Sequence, residues 1–578
     1  MFIRPCYREK DGKRHAYWAL VESYRTVNGP RQRVVAYLGE LTEPKRRGVK
    51  RAATGAKCET RELFEISSEP VWVEVDATKV EVRRDRNFGG VWLGWQLVKQ
   101  LRLDAFLAGV MAGGREDVSW AVMTWVLVWG RLCDPSSELH LAEHGYAQSA
   151  LSDLLGVAEE KINEDRLYRT LDALLPQKEK VEVFLKERLG ELFDLKYDLL
   201  LYDVTSTYFE GQAAGNPQAK RGYSRDHRSD CKQVCIALVV TRDGFPLGYE
   251  VFDGNRHDST TVEEIVAKME CRYGKADRIW VMDRGMVSES NLMFLRQGGR
   301  RYIVGTPRSQ LKAFEQQIVA GGWHQIREGL EVKLCPSPDG VETFILCRSA
   351  DRQQKEQAIH ARFEQRLEEG LKKIEVTCRR GKHTAVAIAQ RVGRLLGQNT
   401  RSAGLFEVEV LTETDGCARL RWAKKPAWRE WAALSEGCYV LCSNVTTWSA
   451  EELWQAYIQL TEAEAAFRIE KSDLVIRPIW HQKQERVQAH ILVCFLAYVL
   501  WKMLGQRCQA AGLGDEPRRV FDEIGQIRMV DVVLPTKTGP SITRRCITRP
   551  TLHQAILLQH LGLKLPRQMK MTKCSEDF

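Results

Sequence analysis

Apolar and polar residues follow different patterns along this chain, and each pattern predicts a different kind of structure. On either side of the turn Asn28-Gly29-Pro30 the two classes alternate, which predicts a β-hairpin near the N-terminus. Residues 88–196 instead repeat apolar positions at helical spacing, with Asn163 as the predicted N-cap of one helix. The chain is therefore expected to begin with a small β unit and to continue into a helical region.

From Tyr197 the pattern changes to short apolar runs separated by turns. Three strands are predicted in succession, with Asp243-Gly244 as the turn between the second and the third. A helix, a fourth strand, a second helix and a fifth strand follow. An antiparallel meander that passes into alternating strands and helices predicts a mixed sheet flanked by helices.

This alternation stops between residues 309 and 436, where charged irregular segments, a long polar helix and short strands predict an inserted domain. Beyond it, a strand and two helices resume the core. The predicted fold class is α/β, with several domains. The predicted units are a basic β-hairpin unit that contacts DNA (1–75), a helical region (76–195), the first part of the core (196–308), the insert (309–436), the second part of the core (437–510) and a C-terminal appendage (511–578).

Size and composition agree with several folded units. The chain has 578 residues, of which 44% are hydrophobic and 28% charged, as in globular proteins larger than one domain. The longest apolar runs, Val118–Gly130 and Ile491–Trp501, are shorter than the ~18 residues that span a bilayer. The N-terminus also lacks the apolar stretch of a secretory signal. We therefore expect a cytoplasmic protein without a membrane partner.

Charge and cysteine content narrow the possible partners. The 86 Lys and Arg residues exceed the 76 Asp and Glu residues by ten, a mild excess that does not by itself identify nucleic acid. Residues 1–51 hold thirteen basic and five acidic residues, densest at Lys45–Arg51, which suits either a phosphate-contacting arm or a solvated linker. The sixteen cysteines include no C-x2-C pair, so reduced thiols are expected rather than disulfides or a structural zinc.

Two acidic residues follow apolar runs that have the pattern of buried strands. Asp203 ends the run LLLYD, and Asp283 ends the run IWVMD. A carboxylate at the end of a buried strand is costly unless it is paired, hydrogen-bonded or bound to a metal. A cap or a salt bridge explains either residue alone, but together they place two acids at one edge of the predicted sheet.

A third acid is indicated by helical spacing. In the segment YIQLTEAEAAFRIEK, residues three or four apart are predicted to share one helix face. The residues of this predicted face are Tyr457, Leu460, Glu464, Phe467, Arg468 and Lys471. Such a face suits a helix that presents Glu464 to a metal and its neighbours to phosphates. Three carboxylates from different elements can hold the divalent cations, about 4 Å apart, that phosphodiester hydrolysis or transesterification can use.

These residues resemble bacterial insertion-sequence transposases of the DDE superfamily, in the branch with a Tyr-x2-Arg-x3-Glu-x6-Lys signature. Tyr457, Glu464 and Lys471 match that spacing, and Asp283 begins a DRG motif similar to that of the family's second acid. Leu460 stands where the signature has Arg, which removes one phosphate contact, with Arg468 as a candidate replacement. The resemblance covers roughly residues 195–500, and the insertion between Asp283 and Glu464 is similar to the β-rich insert of this branch.

The resemblance implies an RNase H-like core and metal-dependent strand cleavage, followed by transfer of a 3′-hydroxyl into target DNA. Asp203, Asp283 and Glu464 would be the catalytic metal ligands, for Mg²⁺ with Mn²⁺ as a substitute. The implied partner is double-stranded DNA, both terminal inverted repeats and target, bound by a homodimer. The candidate DNA contacts, from the signature and from the loop RGYSRDHRSDCKQ, are Tyr457, Arg468, Lys471, Arg284, Arg225, His227 and Arg228.

That loop follows the first core strand. It is expected either to guide DNA to the metals or to be a solvated hairpin loop. Further along the chain, Asp258 is predicted to cap the next helix.

Two other functions compete with transposition. One is a nuclease of the same fold that cuts DNA without strand transfer, and the other is a DNA-binding relic without catalysis. The presence of all three acids argues against the relic. The sequence has no G-x4-G-K-[ST] loop, H-E-x-x-H helix or G-x-S-x-G elbow, so ATP hydrolysis, zinc proteolysis and serine hydrolysis are not indicated.

Overall fold

A computed structural model defines the architecture. It describes residues 2–10, 13–26 and 29–39 and, with gaps at 112, 115, 381–382, 413–417, 538 and 567–568, residues 73–569. The strands in chain order are β1 (Phe2–Lys10), β2 (Lys13–Thr26), β3 (Gly29–Gly39), β4 (Glu81–Asn87), β5 (Leu199–Tyr208), β6 (Gln233–Thr241), β7 (Pro246–Asp253), β8 (Ile279–Met282), β9 (Arg301–Gly305), β10 (His324–Arg327), β11 (Leu330–Pro336), β12 (Thr343–Ser349), β13 (Phe406–Thr412), β14 (Ala418–Lys424), β15 (Cys438–Ser443), β16 (Arg528–Leu534) and β17 (Ile542–Ile547).

Helices account for most of the remaining structure. The α-helices of five or more residues are Gly89–Leu101, Leu103–Val110, Trp120–Cys133, Leu151–Leu155, Glu164–Leu174, Lys178–Phe193, Val262–Tyr273, Glu289–Gln297, Glu315–Val319, Ala350–Arg379, Ala385–Gln398, Pro426–Ser435, Ala450–Ile458, Thr461–Ser472, Gln484–Ala510, Pro517–Gly525 and Leu552–His560. The predicted N-cap is confirmed, since the Asn163 side chain accepts a hydrogen bond from the backbone N–H of Arg166 at 2.9 Å.

Nine strands form the central sheet, in the order β10-β11-β12-β15-β9-β8-β5-β6-β7. Neighbours β5 and β8 are parallel, as are β8 and β9, while β6 and β7 continue from β5 as an antiparallel meander. The predicted α/β class and the mixed sheet with flanking helices are therefore confirmed.

Each face of the central sheet has its own hydrophobic core. Leu201 of β5 joins the core that includes the helix Gln484–Ala510, whereas the next residue, Tyr202, joins the core beside the helix Val262–Tyr273. This alternation follows from the two-residue repeat of a strand. Because helices cover both faces, a side chain's position in the repeat decides which helices it meets.

The helix Gln484–Ala510 is the central helix of the larger core. It is long and apolar enough to cross a membrane, but 89% of its most apolar window is buried inside the protein. It packs against the helices Trp120–Cys133 and Glu164–Leu174, and its apolar surface is thereby covered by protein.

The segment 309–436, predicted as one inserted domain, is divided between two structures. Strands β10–β12 extend the central sheet, because β12 pairs with β15 and β15 pairs with β9. Adjacent residues Ile345 and Leu346 are both buried, as suits a strand with both faces covered. The remainder, from Ala350 to Ser435, is mainly helical, with one hairpin of β13 and β14 and a small core of its own.

The predicted C-terminal appendage is joined to the helical region. Strand β16 pairs with β4 as well as with β17, and the helix Pro517–Gly525 packs against Gly89–Leu101. At the other terminus, β1–β3 form a three-stranded antiparallel sheet, which agrees with the predicted β unit. Asn28 of the predicted turn and the basic cluster Lys45–Arg51 lie outside the described residues.

Candidate active site

Strands β5 and β8 bring Asp203 and Asp283 side by side. The last paired residues of these parallel strands are Tyr202 and Met282, and the residue that follows each of them is an acid. By the two-residue repeat, both acids fall on the sheet face of Leu201, which belongs to the larger core. The structure thus brings the two predicted acids together on one face.

Asp203 does not end its strand, and that part of the sequence reasoning is wrong. Strand β5 continues to Tyr208 because β6 pairs with it along its length, with Asp203 opposite Leu238. What ends beside Asp203 is the shorter neighbour β8. The carboxylate is therefore partly accessible at a step in the sheet, where its Oδ1 accepts a hydrogen bond from the Val204 N–H at 2.8 Å.

Glu464 reaches the same face from the helix Thr461–Ser472, which packs on β5. Ala466 and Phe467 bury one side of this helix in the larger core. Glu464 and Arg468 lie on its exposed side. The third predicted acid therefore joins the two strand acids through packing, although it is separated from them by more than 180 residues of sequence.

The single helix predicted over residues 450–474, which contains Tyr457 and Lys471, is in fact two helices. The first ends at Ile458 and the second begins at Thr461. Leu460, between them, is turned into the core with 6% of its surface exposed. The single face predicted for this segment is therefore wrong, and the residue in place of the signature Arg has a packing role.

Tyr457 contacts the second acid directly. Its hydroxyl donates a hydrogen bond to Asp283 Oδ1 at 3.3 Å. Burial, and then the charge of Asp283, raise the pKa of Tyr457 well above its usual value, so the hydroxyl remains a donor. A Cβ at Gly305 would lie 2.5 Å from the tyrosine hydroxyl oxygen. Glycine at this position leaves room for Tyr457 to orient Asp283.

Burial and neighbouring acids destabilise the negative charges of Asp203 and Glu464. Burial is the main cause that raises the pKa of Asp203 to about 7, and the charges of Glu464 and Asp283 act in the same direction. The pKa of Glu464 is also raised, first by burial and then by Asp283, while Arg468 opposes the shift. Carboxylates held together against repulsion are typical of a site that receives cations.

Lys471 faces the site but is not free in this structure. Its ammonium group donates to Asp226 Oδ1 at 3.0 Å, and Arg477 pairs with the same oxygen. The side chain of Lys471 is 12% exposed and that of Asp226 5%. Asp226 was missed by the sequence reasoning because nothing in a charged loop distinguishes one acid from its neighbours. Only the tertiary structure identifies Asp226, because its partners Lys471 and Arg477 come from a much later part of the chain.

The other predicted loop residues have local partners. Arg225 pairs with Asp258, and its charge lowers the pKa of Asp203. Arg228 donates to Glu210 at 3.2 Å and lies over the Tyr208 ring at 4.8 Å. The loop is thus tied to the core by its arginines.

Two further loop predictions can be compared with the structure. His227 is exposed, with a left-handed backbone at φ of 59°. Asp258 was predicted to cap a helix here, but its neighbour His257 is the cap. The His257 side chain accepts a hydrogen bond from the Ser259 N–H at the start of the following short helix. Asp258 instead serves as the partner of Arg225.

Arg284 and Arg468 are the exposed cations next to the candidate acids. Arg284 directly follows Asp283, and Arg468 lies one turn after Glu464. Both are exposed, and Arg284 lines a cavity of about 240 Å³ beside Asp283. Their positions are compatible with the predicted phosphate contacts.

A second, more compact group of side chains that could bind a metal lies outside the site of the three acids. Of the residues that the structure describes, only Glu138, His481 and His490 place three such ligand atoms within 4.8 Å of one another. His490 Nε2 donates to the Ile476 carbonyl at 3.1 Å, which leaves Nδ1 to accept from Arg131 Nη2 at 3.4 Å. A guanidinium does not deprotonate in proteins. This buried group already has its cation, so we interpret it as a structural network.

Comparison with known proteins identifies the class to which this fold and site belong. The family model of the transposase DDE domain matches residues 194–500, and that of the N-terminal domain of the IS1634 family of transposases matches residues 4–65. A solved structure, the cryo-EM structure of the piggyBac transposase synaptic complex with hairpin DNA, is similar at 10% identity with a TM-score of 0.36, over 79% of this chain and 82% of that one. No curated protein matches the chain.

Because the DDE match spans more than half of the chain, the protein belongs to the DDE transposase family. It is a DNA transposase of the insertion-sequence type, and membership of this family makes it a divalent-metal-dependent enzyme that acts on DNA. The resemblance predicted from the acids and the Tyr/Glu/Lys spacing is confirmed.

Proposed function

We propose that the protein cleaves DNA strands at the ends of its own mobile element and joins the resulting 3′-hydroxyl groups to target DNA. The observation that supports this most strongly is the meeting of Asp203, Asp283 and Glu464 on one face of the sheet. Burial and the neighbouring acids raise the pKa values of Asp203 and Glu464, which is the arrangement that suits bound cations. Three hard oxygen ligands fit Mg²⁺, for which Mn²⁺ would substitute.

In the cleavage step, a water oxygen bonds to phosphorus while the bond to the 3′-oxygen breaks, and the proton passes to that oxygen. In the joining step, the freed 3′-hydroxyl bonds to a target phosphorus, and the target's own 3′-oxygen leaves with the proton. Mg²⁺ held by the three acids would supply positive charge at the reacting oxygens. Tyr457 keeps the Asp283 carboxylate oriented, while Arg284, Arg468 and the loop from Arg225 to Arg228 receive phosphates.

The proposed partner is double-stranded DNA, as terminal inverted repeats and as target, held by a homodimer that pairs two element ends. Residues 1–75 are proposed to contact DNA through their excess of basic residues. Such a role places the protein in the cytoplasm, on the bacterial chromosome.

A strand-transfer assay tests this function. The purified protein is incubated with labelled DNA from both ends of its element, a circular target plasmid and Mg²⁺ or Mn²⁺. Cleaved ends and labelled plasmid are expected together, with cleavage at the element boundary. Cleavage without labelled plasmid would indicate a nuclease instead, and binding without either product would indicate a catalytically inactive relic.

Cleavage is expected to need more metal ion as the pH falls. The pKa of Asp203 is raised to about 7 in the metal-free protein, so protons compete with the ion below that pH and not above it. The half-saturating metal concentration should rise by up to about tenfold per pH unit below 7 and level off above it. Metal titrations at several pH values on either side of neutrality measure this. A half-saturating concentration independent of pH would contradict Asp203 as a ligand.

A further inference from the structure

Asp226 lies in the long loop between β5 and β6, at a point where the loop is tied to the sheet. The backbone N–H of Arg225 donates to Ser206 Oγ of β5 at 3.3 Å. The N–H of His227 donates to the Ser224 carbonyl at 3.3 Å, which makes a tight turn around Asp226. The Asp226 side chain is only 5% exposed. The loop thus directs one of its acids into the protein.

Two cations meet on one oxygen of this carboxylate. Lys471 Nζ donates to Asp226 Oδ1 at 3.0 Å, and Arg477 pairs with the same oxygen. The other oxygen, Oδ2, is buried and has no hydrogen-bond partner among the described residues. A buried acceptor without a donor costs free energy. The cluster is therefore not arranged for stability alone.

The segment that carries Arg477 is fixed against the end of β5. The Ile479 N–H donates to the Tyr208 carbonyl at 2.9 Å, and the Glu210 N–H donates to the Ile479 carbonyl at 3.0 Å. The loop of Asp226 and the segment of its partner are thus held by the same strand. This frame fixes where the carboxylate meets its two cations.

Lys471 extends the cluster to the acids of the site. It lies in the last turn of the helix of Glu464, two turns further along, which is about 10 Å along the helix axis. Burial, and then the charge of Arg225, lower the pKa of Lys471 to about 8, while Asp203 opposes the shift. The ammonium group is therefore within electrostatic reach of the first acid. The adjacent carboxylate of Asp226 favours its charged form.

The ammonium group of Lys471 retains donors for a second partner. A lysine carries three N–H donors on a flexible four-carbon stem, and Asp226 accepts from one of them. An anchored side chain loses less conformational freedom when it binds a ligand than a mobile one does. Because two cations share one carboxylate, the cluster also keeps a net positive charge that attracts an anion.

We propose that Asp226 is a positioning residue that acts through Lys471, holding its ammonium group for a DNA phosphate next to Asp203. The inference rests on the proposed function, because it requires DNA at the three acids. It assigns to the loop after β5 a role that the acids and the Tyr/Glu/Lys spacing do not include.

A double-mutant cycle on cleavage of labelled element-end duplex tests this role. Lys471→Met and Asp226→Asn should each slow the cleavage step by about 10-fold or more, the factor expected for loss of a hydrogen bond to a charged group. The double variant should match Lys471→Met within about twofold. Asp226→Asn retains both cations, so its affinity for the duplex should not fall, whereas that of Lys471→Met should.

Asp230→Asn is the matched control, because Asp230 is an exposed acid of the same loop and also pairs with an arginine. It should cleave at the wild-type rate. Losses that multiply in the double variant, or an affinity loss in Asp226→Asn as large as its rate loss, would overturn the proposal. Thermal denaturation of each variant confirms that the compared proteins are folded.

A more conservative change covers the case in which Asp226→Asn does not fold. Asp226→Glu keeps the charge and displaces the carboxylate by one methylene. It should slow cleavage when Lys471 is present and have no effect in the Lys471→Met background. An equal loss in both backgrounds would contradict a role through Lys471.

Amine labelling follows Lys471 without any need for cleavage. Reductive methylation and mass spectrometry compare Lys471 with Lys196, an exposed lysine before the start of β5. Element-end duplex should protect Lys471 in the wild type, whereas Asp226→Asn should increase its labelling and weaken the protection. Equal labelling in both proteins would overturn the proposal. Protection that depends on Asp226, in a protein that performs no strand transfer, would contradict the proposed function and leave the positioning role standing.

Discussion

Replacement of Asp203 by Asn is expected to abolish DNA cleavage while leaving DNA binding close to that of the wild type. The change removes one charged ligand from a site that must stabilise the charge developing at phosphorus. A loss of about 4 kcal/mol of that stabilisation corresponds to a rate decrease on the order of 10³-fold. Cleavage of labelled element ends with Mg²⁺ and fluorescence anisotropy with the same DNA measure the two properties.

Thermal denaturation shows whether this loss of cleavage is caused by unfolding of the variant. The pKa of Asp203 is raised to about 7 in the folded protein, so this group lowers stability increasingly as the pH rises from about 4 to 7 and by a constant amount above that. The metal-free Asn variant should therefore melt at or above the wild-type temperature at alkaline pH. Asp253→Asn, at the exposed end of β7, is the matched control and should cleave normally. A folded Asp203→Asn protein that cleaves within about tenfold of the wild-type rate would contradict the assigned role.

Replacement of Glu138 by Ala is expected to destabilise the fold by about 3–5 kcal/mol, because it removes one member of a buried charge network. Glu138 accepts from His481 Nε2 at 3.2 Å and lies 3.9 Å from Arg131 Nη2, with the side chains of all three residues at most 10% exposed. Arg131 and Glu138 belong to the helical region, whereas His481 follows the helix of Glu464. The loss should appear as a lower midpoint in urea denaturation, with unchanged DNA binding in the folded protein.

The same network gives a pH dependence and a test for metal. Burial lowers the pKa of His490 to about 4, so the unfolded chain binds its proton at higher pH than the native state. Stability should therefore fall as the pH drops from about 6.5 to 4. In the Asp203→Asn variant, in which the proposed Mg²⁺ site has lost a ligand, a chelator should not change the melting temperature, because Arg131 supplies the charge of this network. A chelator-induced decrease that is absent in His481→Ala would show that the group binds a metal.

Local pattern was enough to predict the strands that carry Asp203 and Asp283, because a central strand covered on both faces is an unbroken apolar run. It misplaced the end of β5, since the end of a strand depends on which neighbours continue to pair. It also missed the break at Leu460, because the apolar spacing of that segment is compatible with one continuous helix. The family resemblance selected Glu464 independently of this error, as its signature depends on residue order and not on helix geometry.

The sequence by itself determined the mixed sheet and the family and selected the three candidate acids, because these depend on short-range periodicity and on a spaced motif. Tertiary structure alone decided that β10–β12 join the central sheet and that Lys471 is held by Asp226. Those contacts join residues far apart in the chain, and such pairs leave no local pattern. Only packing of the helices against the sheet brings them within hydrogen-bonding distance.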